Sequence, residues 1–61
     1  MYWIWIKAYH NGEWCMNMRS TRAYERKGNA ERAAKIWWSD TETMHYEITV
    51  SETNPFTEEQ L

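Results

Sequence analysis

Apolar and polar positions alternate from the start of the chain. Between Tyr2 and Tyr9, Ile4, Ile6 and Ala8 fall on one side, and Trp3, Trp5, Lys7 and Tyr9 on the other. A two-residue period rich in aromatic and β-branched residues predicts a strand. Asn11-Gly12 follows, a dipeptide that favours a hairpin turn. From Glu13 to Arg19 the alternation resumes, with Trp14, Met16 and Met18 against Glu13, Cys15, Asn17 and Arg19.

The same pattern bears on the hairpin register. A plain two-residue loop would set Ile6 against Asn17 and Ile4 against Arg19. A three-residue loop, His10-Asn11-Gly12, sets Ala8 against Trp14, Ile6 against Met16 and Ile4 against Met18. It gives one clean apolar face, and register follows such patterns. The expected loop therefore has three residues, with Gly12 in the left-handed position of a bulge. Tyr9 opposite Trp14 would refute it. On the other face Trp3 is expected opposite Arg19, Trp5 opposite Asn17, Lys7 opposite Cys15 and Tyr9 opposite Glu13.

The period then changes. Ala30, Ala33, Ala34 and Trp37 recur at helical spacing, with Ile36 and Trp38 beside them. Asn29 after Gly28 is the expected N-cap, giving a helix over 30–38. The stretch 20–28 reads as a basic connection, open to partial helix. Ser39 to Thr43 is a polar turn. Met44, Tyr46, Ile48 and Val50 alternate with His45, Glu47 and Thr49, a third strand. A right-handed crossover places that strand beside the first. The expected fold is α+β, a two-layer β-β-α-β unit: a three-stranded antiparallel sheet in the order 2-1-3, with one helix on one face. The domain is expected over 1–50. Residues 51–61 are read as an acidic, mobile tail in which Phe56 has scope for local docking. Nothing in the rest of the chain is expected to cover the second sheet face.

Size sharpens this picture. A chain of 61 residues is one domain, and a domain this small buries roughly 60% of the surface its unfolded chain exposes. Stability then often draws on a disulfide, a metal or a partner. Cys15 is the only cysteine, so no internal disulfide can form, which fits a reducing compartment. Five tryptophans and four tyrosines are more large rings than one helix on one sheet needs. The opening apolar run lacks a preceding basic residue and stops at Lys7, so it reads neither as a signal peptide nor as a membrane span. The expected setting is cytoplasmic, with no membrane partner.

Charge is uneven. Arg19, Arg22, Arg26, Lys27, Arg32 and Lys35 face only Glu25 and Glu31 in the middle of the chain, and the end is acidic. Net charge is −2, unlike the basic domains that usually bind nucleic acid.

The run Tyr24-Glu-Arg-Lys-Gly-Asn-Ala-Glu-Arg-Ala-Ala-Lys-Ile36 and the turn Asn11-Gly-Glu-Trp14 resemble the YegP-like family of small domains of unknown function. The resemblance covers about half the chain and implies no catalytic residues. The strand order is also similar to that of small phage-encoded proteins that bind and inhibit host enzymes, which is an analogy of architecture.

Chemistry is sparse. A nucleophilic Cys15 needs a histidine within hydrogen-bond reach. His10 sits at the loop, and two strand spacings put His45 about 9–10 Å away. Cys15, His10, His45 and Glu47 lack metal-ligand spacing. Asp40 is the only aspartate, and no glycine-rich phosphate loop exists. The expectation is no catalytic residue, no metal, no cofactor and no small-molecule substrate. Trp3, Trp5, Lys7, Tyr9, Asn17 and Arg19 are instead read as a protein-binding face, serving a homodimer or a target protein, since Trp, Tyr and Arg are enriched at hot spots. The alternative is a single-stranded nucleic-acid platform that adds Arg22, Arg26 and Lys27 to the same face.

Overall fold

A computed structural model describes residues 1–56. Three strands form, β1 (Trp3–His10), β2 (Glu13–Arg19) and β3 (Met44–Ser51), with one helix, α1 (Lys27–Trp37), between β2 and β3. The sheet order is β2-β1-β3, both pairs antiparallel. The α+β fold and the 2-1-3 order follow the pattern of the chain.

The hairpin departs from expectation. Asn11 and Gly12 have φ of 50° and 83°, both left-handed. That is the backbone of a two-residue type I′ loop, whose twist matches the flanking strands. His10 pairs with Glu13 and Tyr9 with Trp14, but Ala8 pairs with Met16 and Ile6 with Met18. Cys15 is thus an extra residue on β2, a β-bulge. The three-residue loop is overturned. Two local demands conflict here: Asn-Gly wants two residues in the loop, while the apolar pattern wants the opposite parity. The bulge satisfies both. Its cost to the expected pairing is a slide. Trp5, not Trp3, lies opposite Arg19, and Lys7, not Trp5, lies opposite Asn17.

The core is Ile4, Ile6, Ala30 and Ala34, with Tyr2, Met18, Trp38, Tyr46, Ile48 and Val50 among the side chains packed around it. Beyond β2 the Ser20 N–H donates to the Ile4 carbonyl at 2.8 Å. The buried Ser20 Oγ accepts the Ile4 N–H at 3.1 Å and donates to the Arg22 carbonyl at 2.7 Å. Tyr2 and Tyr24 then exchange two backbone bonds of 2.6 and 2.7 Å. The connection 20–26 is therefore a bridged loop rather than part of a helix.

The helix begins three residues before the expected Ala30 and takes in Gly28 and Asn29. Arg26 is its N-cap, with no side-chain bond to the free N–H groups. The Asn29 Oδ1 accepts from Arg32 Nη2 at 2.9 Å instead of capping. Trp38 leaves helical geometry at φ −127°, ψ 87°, its N–H donating to the Ala34 carbonyl. That bend carries the Trp38 ring onto the core, and Trp37, expected there, is 72% exposed. The helix lies over β1 and β3 and does not approach β2, so Met16 stays exposed.

Candidate functional site

The sheet face away from the helix carries Trp3, Trp5, Lys7 and Tyr9 from β1. Arg19, Asn17 and Trp14 lie across from Trp5, Lys7 and Tyr9 on one side. Ser51, Thr49, Glu47 and His45 lie across from Trp3, Trp5, Lys7 and Tyr9 on the other. The pleat alone dictates this set, since partners in a ladder share a face.

The face is not a bare row of rings. Trp5 is 5% exposed. Its indole N–H donates to the Ser51 carbonyl at 3.0 Å. Phe56 stands edge-on against its ring, centroids 6.0 Å apart at 85°. Trp5 was expected as an exposed contact and is instead a second, small core on this face. Phe56 docks, and the segment after β3 supplies the cover that nothing was expected to supply. The acidic residues Glu58 and Glu59 of the expected mobile tail lie outside the described residues.

Arg19 is exposed and sits over Trp3, its guanidinium carbon 4.1 Å from the ring centroid and 5.9 Å from that of Trp5. The planar cation is held against the negative ring faces. Asn17 is buried, its Oδ1 accepting the Trp14 indole N–H at 2.9 Å. Asn17 therefore positions Trp14 and offers little surface of its own. Lys7 and Tyr9 are half-buried, and the Tyr9 hydroxyl donates to Glu47 Oε1 at 3.2 Å.

Trp14 is the residue that the pattern misplaced. Expected in the core beside Ala8, it stands opposite Tyr9 on the open face and is 50% exposed. The signal was present: the turn preference of Asn11-Gly12, followed literally, puts Trp14 across from Tyr9.

At the turn end of this face, His45 Nδ1 lies 2.7 Å from Asp40 Oδ2, and its ring tilts against Tyr9 with centroids 5.9 Å apart. Asp40 Oδ1 accepts the Tyr46 N–H at 3.0 Å. That backbone bond first, and the His45 bond second, hold the Asp40 carboxyl below its ordinary range. The Cys15 thiol is exposed, its sulfur 3.9 Å from the Glu13 carbonyl. Among the described residues no three His, Cys, Asp or Glu side chains gather as a metal site, and no helix is long and apolar enough to cross a membrane.

The basic residues of the nucleic-acid alternative go elsewhere. Arg22 stands over Tyr24, 5.1 Å from the ring centroid. It lines a cleft of about 520 Å³ with Ile4, Ser20, Trp37 and Trp38, on the helix side. Arg26 and Lys27 open the helix. Of Arg19, Arg22, Arg26 and Lys27, Arg19 alone joins the aromatic face, where Lys7 of β1 also lies.

Comparison with protein-family models, with curated proteins and with solved structures finds no match to this chain. The functional reading therefore rests on the face itself.

Proposed function

We propose that this chain is a small non-enzymatic protein-binding module whose open sheet face receives a partner protein. An accessory or inhibitor protein of the kind phages and mobile elements encode fits that description. One observation carries the reading: Trp14, half in water, is fixed on a strand by its bond to Asn17, on the sheet face opposite the helix. A rigid, exposed indole costs little further entropy on binding, and Trp, Tyr and Arg dominate interface energetics. The contacts are Trp14, Trp3 and Arg19, with Lys7 and Tyr9 at the margin. Trp5 and Asn17 hold that face in shape. A free thiol suits a cytoplasmic setting.

The test is recovery of a partner on immobilised chain, comparing the parent with Trp14→Ala and Trp3→Ala. Loss of one defined partner, with the fold intact, supports the reading. Unchanged recovery with both variants sinks it. The stack of Arg19 on Trp3 favours, as a second reading, a platform for unpaired bases. The helix-side placement of Arg22 weighs against it. Tryptophan quenching by a mixed oligonucleotide, weakening as salt rises, would identify this second mode.

A further inference from the structure

An antiparallel strand turns its backbone groups alternately toward its neighbour and away. In β3 the groups facing away from β1 belong to Met44, Tyr46, Ile48 and Val50. Two sets of bonds show it: Met44 N–H donates to Thr41 Oγ1 at 3.0 Å while its carbonyl accepts the Thr41 N–H at 2.9 Å, and Tyr46 N–H donates to Asp40. The turn before β3 thus covers the first half of this edge. Among the described residues, no hydrogen bond from outside the sheet reaches the Ile48 or Val50 backbone.

Sheet edges are normally guarded by lysine, proline, a bulge or a covering loop. The other edge, β2, carries the Cys15 bulge. β3 is eight regular residues, MHYEITVS, without lysine, proline or bulge, and beyond Tyr46 its one charged side chain is Glu47, on the face away from the helix. A cleft of about 360 Å³ lies between the helix residues Glu31, Ala34 and Lys35, with Trp38, and Ile48 of this strand.

We infer that this edge pairs with β3 of a second copy, in antiparallel register about Thr49, to make a continuous six-stranded sheet. The register follows from which donors are free and from the end of β3 at Ser51, because a Val50-centred pairing would set Ile48 against Glu52, outside the strand. Centred on Thr49, Ile48 opposes Val50 of the second copy and exchanges both backbone bonds with it, twice over by symmetry. Centred on Ile48, the pairing needs the Tyr46 N–H, which Asp40 holds. Centred on Glu47, it needs the same N–H and sets Glu47 against itself. Around Thr49 no like charges face each other, because Glu47 meets Ser51. The apolar Ile48 and Val50 meet on the helix side, beside the cleft. The two open faces lie side by side on one sheet, so this dimer is compatible with the binding reading above but independent of it.

The test combines sedimentation with amide exchange of the whole chain. The expected result is a species of twice the chain mass, in which the Ile48 and Val50 amides lose their fast exchange as concentration rises. Val50→Pro removes an outward N–H, which edge strands tolerate, and is expected to give a folded monomer. Should that variant unfold, Thr49→Cys in a Cys15→Ser background decides. Thr49 and its copy form a non-hydrogen-bonded pair with Cα atoms about 4.5 Å apart, within disulfide reach. Oxidation should cross-link the chain quantitatively at this position and not at Glu47→Cys. The Trp3→Ala, Trp14→Ala double variant should remain dimeric. Three results overturn the inference: a monomer at every concentration, a dimer whose Ile48 and Val50 amides still exchange freely, or protection of those amides only when a foreign peptide is added.

Discussion

Tyr9 faces Trp14 across the hairpin while Ala8 faces Met16, so Cys15 has no partner on β1. Deleting one residue from a strand normally turns every later side chain to the wrong face. Here the bulge makes Cys15 dispensable. Without it, a plain two-residue hairpin sets Met16 against Ala8 and Met18 against Ile6, the pairs already present. Deletion of Cys15 should therefore give a folded protein with these pairs intact. Deletion of Asn17, two residues on, turns Met18 to the open face if the bulge stays, or Met16 if the bulge flattens, and removes the bond to Trp14 in either case, so it should destabilise the fold more than deletion of Cys15 does. Thermal melts and cross-strand Hα contacts in NMR check both. An unfolded Cys15 deletion beside a folded Asn17 deletion would contradict the bulge.

The two β1 tryptophans should respond differently to truncation. Trp5 is buried against Phe56 and bonded to Ser51, so Trp5→Ala is expected to cost about 3–5 kcal/mol, enough to threaten the fold. Trp3 is half-buried beneath Arg19. Its loss removes a cation–π contact worth about 0.5–1 kcal/mol at an exposed site, plus modest burial. Phe56→Ala should cost about 0.5–1.5 kcal/mol for the ring pair, with some lost area besides. Denaturant titrations should give the order Trp5 > Phe56 and Trp5 > Trp3. Equal losses for Trp3 and Trp5 would mean that Phe56 does not cover Trp5. For the same reason a Trp3, Trp5 double variant is a poor probe of binding, and Trp14 is a better one.

Most of the topology was legible because two periods, 2.0 and 3.6, each persist along enough residues to name an element. Ile4, Ile6 and Ala8, and Tyr46, Ile48 and Val50, mark their buried faces plainly. What was not legible depended on local exceptions to a period. The Cys15 bulge lets Met16 and Met18 keep the apolar side while Trp14 takes the other. No count of alternating positions shows where such an extra residue falls. Phe56 is a lone apolar residue in a polar stretch, and only its three-dimensional nearness to Trp5 gives it a role. Trp37 and Trp38 are adjacent, and the choice between them turns on a single backbone bend at the helix end. Trp3, Trp5, Lys7, Tyr9, Asn17 and Arg19 share one sheet face, but Trp5 and Asn17 are buried there, and Trp14, expected in the core, is exposed on it.

The helix start offers a direct gain in stability. Arg26 occupies the N-cap without bonding the free N–H groups, and no acidic residue lies in the first turn. A cationic side chain also opposes the partial positive charge there. Arg26→Asp supplies both an acceptor and the favourable sign. It is expected to stabilise the fold by about 0.5–2 kcal/mol, raising the melting temperature. Arg26→Ser should recover the acceptor part alone and give a smaller rise. A fall in melting temperature for both would mean that Arg26 serves a contact not seen here, and would bring back its candidacy as a phosphate ligand.

Asp40 gives the fold an acid-sensitive joint at the base of β3. Its carboxyl is held below its ordinary range by the Tyr46 N–H and then by His45. A depressed carboxyl pKa means that the folded state binds the proton less readily than the unfolded chain does. Its contribution is therefore fully present above the unfolded value, about 3.9, and is lost as pH falls through the lower folded value. Asp40→Asn keeps an oxygen for the Tyr46 N–H but removes the ionisation. The parent should accordingly exceed Asp40→Asn in melting temperature above about pH 4, and the difference should shrink below it. Because Asp40 is exposed, salt should screen the part due to His45 and leave the backbone bond largely untouched. A carboxyl titration by NMR reads the shift directly. A midpoint at or above the ordinary value would show that the bond to Tyr46 does not persist in solution, and would also open the Tyr46 N–H to strand pairing.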